Sequence, residues 1–111
     1  SMMYTIKFGK EEIMKIGIIG SGIVGETLAD GFIKHGYEVM RGSRDPNKIS
    51  DWKKKSKGKA QVGNFEETAR FGEIIVLAVK GNSAEDAIKL AGIDNLSGKT
   101  VLDATNPIAD K

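Results

Sequence analysis

The chain of 111 residues contains no cysteine. That excludes a disulfide framework, a thiolate metal cluster and a thiol nucleophile. It contains a single histidine, His35, which stands before Gly36 at the end of a helical pattern. His35 therefore reads as a C-terminal helix residue and not as a catalytic base. No apolar run approaches the ~18 residues needed to cross a bilayer. Lys7, Lys10, Glu11 and Glu12 break up the N-terminus, where a signal peptide would need an apolar stretch. These absences predict a cytoplasmic protein with no membrane partner. Charge of one sign is also scarce. A net charge of +2 gives little steering toward nucleic acid, and the run Lys53-Lys54-Lys55-Ser56-Lys57 reads as a solvated helix end and loop.

What is present is ordinary globular composition, with 40% hydrophobic and 29% charged residues. One core and one domain follow. Residues 1–13 stand apart as an N-terminal extension or a cloning remnant. Ser1-Met2 looks like a cloning scar, with Met14 a natural start. Alternatively, Tyr4, Ile6 and Phe8 alternate with polar neighbours as in a short strand. Both readings stand. Residues 14–111 form the candidate domain.

The most informative stretch is Ile16-Gly17-Ile18-Ile19-Gly20-Ser21-Gly22-Ile23-Val24-Gly25. An apolar strand runs into G-x-G-x-x-G and then directly into a helical pattern. This is the dinucleotide-binding arrangement, in which a strand delivers a pyrophosphate onto a helix N-terminus. Gly20 permits the tight turn, Gly22 removes a Cβ from the path of the phosphates, and Gly25 lets the helix lie close to the strand. The free N–H groups of the first helical turn face the anion, with the helix dipole behind them.

The rest of the chain alternates strand and helix. Strands are predicted at Lys15–Ile19, Tyr37–Arg41, Ala60–Val62, Glu73–Val79 and Thr100–Ala104. The first helix runs over Ile23–Lys34, with Val24, Leu28, Phe32 and Ile33 at helical spacing and Gly36 just past its end. Asp45-Pro46 reads as an N-cap followed by proline at the first helical position, opening a helix through Ile49 and Trp52. Asn64 and Glu67 have capping-box spacing for a helix to Phe71. Ser83 reads as the cap of a helix over Ala84–Ala91. The continuous Ile74–Val79 run suggests a central strand buried on both faces. Right-handed crossovers then give a doubly wound, Rossmann-type α/β fold with five parallel strands in the order 3-2-1-4-5. The crevice is expected at the switch point between strands one and four. The segments Gly20–Gly25, Gly42–Arg44, Val79–Ser83 and Thr105–Pro107 should surround it.

The tip of strand two selects the coenzyme. An NAD site carries Asp or Glu there for the ribose 2′-hydroxyl. This chain has Gly42-Ser43-Arg44 instead. A 2′-phosphate would find a hydroxyl in Ser43, a guanidinium fork in Arg44 and a further cation in Lys48, one helical turn on. The preference predicted is NADP(H) over NAD(H). Asp45 is read as a helix cap and not as the ribose acid.

Lys15 to Gly25, then Gly42-Ser43-Arg44-Asp45-Pro46, then Val101-Leu102-Asp103-Ala104-Thr105-Asn106-Pro107 together resemble the NADP oxidoreductases that use the deazaflavin coenzyme F-420. The resemblance spans about Lys15 to Asp110. The Ser-Arg pair and the Asp-Ala-Thr-Asn-Pro segment are its more discriminating parts. It implies that Ser21, Ser43, Arg44 and Lys48 contact NADP, and that Val79, Asn106 and Pro107 lie near the ribose-nicotinamide half. With the loop residues Gly20, Gly22, Ile23, Val24 and Gly25 these make up the candidate cofactor site. Members of the family continue beyond this length, so the domain is expected to be incomplete at its C-terminus.

Hydride transfer between two carriers requires no side-chain acid or base, because the cofactor carries the chemistry and the protein supplies position. Accordingly no catalytic residue is named. Lys80 and Asp103 are the ionisable residues expected beside the crevice; Lys80 reads as a solvated loop lysine and Asp103 as an anchor for its own loop. The partners expected are the coenzyme and a small redox substrate, coenzyme F-420 being the one the resemblance implies. Three alternatives stay open: a non-catalytic NADP(H) sensor, a module that has kept the fold without the ligand, and an imine reductase of the pyrroline-carboxylate reductase type. An exposed edge at strand five suggests a homodimer or further chain to cover it.

Overall fold

The computed structural model describes residues 13–56 and 58–104. Five parallel strands form one sheet in the order β3-β2-β1-β4-β5. They are β1 (Lys15–Ile19), β2 (Glu38–Gly42), β3 (Ala60–Gly63), β4 (Ile74–Leu77) and β5 (Thr100–Asp103). The helices between them are α1 (Ile23–Lys34), α2 (Ser50–Lys55), α3 (Phe65–Phe71), α4 (Ala84–Ala91) and α5 (Ile93–Leu96). Register is set on both sides of β1, with Ile18 opposite Arg41 of β2 and opposite Val76 of β4.

Side chains alternate across the sheet and build two cores. Ile16, Ile18, Val39, Ala60 and Val76 point to one face, where Ala29 of α1 and Trp52 of α2 meet them. Ile19, Ile75 and Leu77 point to the other, against Phe65 and Ala69 of α3 and Ala87 and Ala91 of α4. The apolar run of the fourth strand is thus buried on both faces, with Ile75, Val76 and Leu77 all inside.

Helix starts follow local chemistry where the cap residue is extended. Asn64 Oδ1 accepts from Glu67 N at 2.7 Å, and Glu67 Oε1 accepts from Asn64 N at 2.8 Å, completing the capping box of α3. Asp45 Oδ1 accepts from Asn47 N at 3.2 Å, with Pro46 at the first position. That cap opens a 3₁₀ turn, Pro46–Ile49, which passes into α2. His35 caps the end of α1, its Nδ1 2.9 Å from the Gly31 carbonyl oxygen.

Several local expectations are corrected. Ser83 does not cap α4 through its side chain. Its backbone is already helical, at φ −107 and ψ −1, and it closes a 3₁₀ turn over Gly81–Ser83. A cap hydroxyl reaches the next amides only from an extended backbone. Val24 does not join the core face of α1; it is 52% exposed, while Gly25 and Ala29 are the buried residues there. The small residues bring the helix axis close to the sheet and turn Val24 outward. β2 begins one residue later than expected and includes Gly42, β3 extends through Gly63, β4 is confined to Ile74–Leu77, and β5 stops at Asp103. The short helix α5 adds to the elements the sequence pattern predicts. Residues 1–12, and with them Tyr4, Ile6 and Phe8, lie outside the described residues, as do Lys57, Thr105, Asn106 and Pro107.

Candidate dinucleotide site

The sheet order reverses direction at β1, between β2 and β4, and the cleft opens at the carboxyl ends of these strands. Pairing continues beyond the strand ends and fixes the loops there. Gly20 N donates to Gly42 O at 3.0 Å, Ser43 N to Gly63 O at 3.0 Å, and Ala78 N to Ile19 O at 2.8 Å. A cleft of about 580 Å³ results, bounded by Gly20, Ser21 and Gly22 from the β1–α1 loop. Ser43, Arg44, Asp45 and Lys48 close it on the β2 side, Ala78, Val79, Lys80, Ser83 and the carboxylate Asp86 on the β4 side, and Phe65 of α3 completes the lining.

The three glycines of the motif do different work. Gly20 has φ +133, and a Cβ built on it would lie 2.2 Å from Ala78 O, so the turn itself demands glycine. A Cβ at Gly25 would sit 2.9 Å from Gly20 O, which marks the close approach of α1 to the loop. Gly22 has an ordinary extended backbone, φ −85 and ψ −173, and a Cβ there would meet no protein atom within 4 Å. Nothing in the fold requires glycine at that position. Its missing side chain leaves the floor of the cleft bare beside the N-terminus of α1, where a phosphate would lie.

Ser43 is 3% exposed, and its Oγ accepts from Asp45 N at 3.0 Å. The hydroxyl hydrogen remains for a second partner. Arg44 and Lys48 are exposed side chains at the rim. Among the described residues neither cation has an ion-pair partner. The Asp45 carboxylate is engaged at its helix cap. The tip of β2 therefore presents positive charge and a hydroxyl to the cleft, a donor set suited to a phosphate.

Of the candidate residues, Gly20, Ser21, Gly22, Ser43, Arg44, Lys48 and Val79 line this one cleft. Gly25 lies buried beneath it. Ile23 and Val24 do not line it; they occupy the first turn of α1 with 76% and 52% of their surface exposed. Asn106 and Pro107 fall outside the described residues. Lys80 reaches the cleft and Asp103 ends β5. Among the described residues no cluster of histidine, cysteine or carboxylates could hold a metal, and no helix is long and apolar enough to cross a membrane.

One residue escaped the motif reading. Arg41 lies in β2, 1% exposed, and its Nη2 donates to Ser21 O at 3.0 Å and Gly22 O at 3.3 Å. Burial pushes its pKa below the usual arginine value, while Glu26 and Asp30 act in the opposite sense. The available signal was a charged residue in a strand hemmed between two others, which must find partners if buried.

A model of the family described as NADP oxidoreductase, coenzyme F420-dependent, matches residues 15–107. Metalloreductase STEAP3 of Rattus norvegicus is 34% identical over 97 residues, covering 87% of this chain and 19% of that protein. A crystal structure from Arthrobacter sp. FB24, provisionally described as an F420-dependent NADP-reductase, superposes with a TM-score of 0.78 at 35% identity. That alignment covers 85% of this chain and 46% of the other. An imine reductase from Aspergillus terreus, in complex with NADPH4 and dibenz[c,e]azepine, superposes with a TM-score of 0.69 over 87% of this chain and 34% of its own. At 23% identity that likeness carries the fold alone. The chain spans less than half the length of each.

Proposed function

Because the chain belongs to the coenzyme F420-dependent NADP oxidoreductase family, we propose that it forms the NADP(H)-holding part of an oxidoreductase that moves hydride between the nicotinamide and a second carrier. The observation that carries this reading is the bare floor at Gly22, flanked by the two rim cations Arg44 and Lys48. In this reading the pyrophosphate lies over Gly20–Gly25, against the amides of the first turn of α1. The 2′-phosphate meets Ser43, Arg44 and Lys48, with Ser21 at the loop. An adjoining cavity of about 430 Å³, lined by Arg44, Asn64, Phe65, Glu66 and Leu90, suits the adenine ring. Val79, Asn106 and Pro107 are assigned to the ribose-nicotinamide half, as the family resemblance implies.

When bound, the reduced nicotinamide supplies the hydride. The chain's contribution would be position: it would hold the anionic end against backbone amides and cations. The acceptor proposed is a deazaflavin of the coenzyme F-420 type, which takes hydride without help from a side-chain acid.

Titration of the chain with NADPH and NADH tests the coenzyme assignment. NADPH is expected to bind at least about tenfold tighter, since one charge-assisted hydrogen bond contributes ~1.5–3 kcal/mol. Arg44→Ala should weaken NADPH by about tenfold to a hundredfold and NADH by a smaller factor, since NADH keeps the adenine but lacks the 2′-phosphate. Equal affinities in the unmodified chain would overturn the assignment. NADPH oxidation assayed with a deazaflavin, and in parallel with a cyclic imine, tests the acceptor; turnover with the imine alone would move the reading to imine reduction.

A further inference from the structure

An arginine buried in the middle of a sheet needs a reason. Burial of its charge is costly, and replacing buried ionic groups with apolar ones of similar size is often neutral or stabilising. Arg41 is also incompletely satisfied: its Nε is buried without a hydrogen-bond partner among the described residues. Its guanidinium lies 5.0 Å from the centroid of the Trp52 ring, and the Trp52 indole N–H donates to Asp30 Oδ1 at 2.8 Å. Asp30 and Glu26 sit one turn apart on α1. The side chain thus lies against a Trp52 ring that Asp30 ties to α1, and all its hydrogen bonds among the described residues go to two carbonyls of the glycine loop.

Those carbonyls define an orientation. In a trans peptide the C=O and the following N–H point in opposite directions. The Ser21 carbonyl shares a peptide with Gly22 N–H, and the Gly22 carbonyl shares one with Ile23 N–H. Arg41 reaches the loop from the side of a second cavity, of about 510 Å³, that it lines with Trp52 and Asp30. That cavity meets the cleft at Ser21 and Lys48, but Arg41 lines only the former, and Gly20, Gly22 and Ser43 only the latter. The Gly22 carbonyl also receives Glu26 N at 3.0 Å, the first bond of α1. Both peptides are therefore fixed with their oxygens drawn to the guanidinium.

We propose that Arg41 is a positioning residue for the dinucleotide: by holding the Ser21 carbonyl it turns the Gly22 amide toward the cleft and the pyrophosphate, and by holding the Gly22 carbonyl it steadies the first peptide of α1. It also keeps two partial negative charges away from an anion. Arg41 itself, being buried, touches no ligand. The proposal rests on the reading of the cleft as a dinucleotide site.

Dissociation constants of the full chain for NADPH, NADH and 2′-AMP separate the two. The last carries adenine, ribose and 2′-phosphate but no pyrophosphate. Arg41→Met should weaken NADPH and NADH by the same factor, about tenfold, and change 2′-AMP by less than about twofold. Arg41→Lys, which keeps a donor at the loop, should recover part of the loss. If Arg41→Met does not fold, Arg41→Lys decides by the same pattern: a shared loss for the two dinucleotides with 2′-AMP spared. The proposal is overturned if the variants bind both dinucleotides as tightly as the unmodified chain. It is equally overturned if all three ligands weaken together, or if NADPH alone does. Failure of the unmodified chain to bind any of the three overturns the dinucleotide reading itself.

Discussion

Gly20 and Gly22 stand two residues apart and answer to different demands. At Gly20 the turn imposes φ +133 and leaves no room for a Cβ. Gly20→Ala should therefore cost about 3 kcal/mol of stability, read as a fall in melting temperature with no ligand present. At Gly22 the backbone is ordinary and the space is open. Gly22→Ala should cost no more than about 1 kcal/mol at this N-cap position, yet weaken NADPH by about tenfold or more. A pair of melting curves and a pair of titrations check the contrast. That the glycine loop and the Ser43-Arg44 pair meet at one cleft was legible in the sequence, because both follow strands whose carboxyl ends lie side by side at the switch point. Arg41 was not legible, because its partners are backbone carbonyls some twenty positions away and no periodicity marks them. Ser43 Oγ accepts from Asp45 N, which leaves its hydroxyl hydrogen for a second partner.

At the level of elements, termini with short-range chemistry were the readable ones. Asn64 and Glu67 form both bonds of their capping box, and Asp45-Pro46 opens its turn as the residue types predict. Asn64→Ala removes a cap for the helix that underlies Phe65 at the edge of the cleft. It should cost about 1 kcal/mol, or roughly 4–8 °C in melting temperature, and thermal unfolding followed by circular dichroism reads it. The unread elements have physical reasons too. Ser83 is a cap residue by type but is already wound into a 3₁₀ turn. The four residues of α5 follow Gly92 at φ +92 and are too few for a helical period to show. Val24 fits the apolar spacing of α1, yet the close approach belongs to Gly25 and Ala29.

Across the whole molecule, the order of the strands follows from the alternation of β and α together with right-handed crossovers, and it places the reversal of direction at β1. The same order grades the protection of the backbone. β1 is paired on both sides and buried, whereas β5 is an edge strand whose residues are all exposed, Leu102 at 49%. Amide hydrogen exchange should accordingly be slowest in β1 and β4 and fastest, among the strands, in β5; equal protection across the sheet would mean that something covers that edge in solution. The cleft at the switch point is the feature on which the functional account depends. A structure of the chain with NADP bound measures it most directly. The account predicts the pyrophosphate over Gly20–Gly25 and the 2′-phosphate within hydrogen-bonding distance of Ser43 and Arg44. Coenzyme bound elsewhere, or a 2′-phosphate turned to solvent away from Arg44, would contradict it.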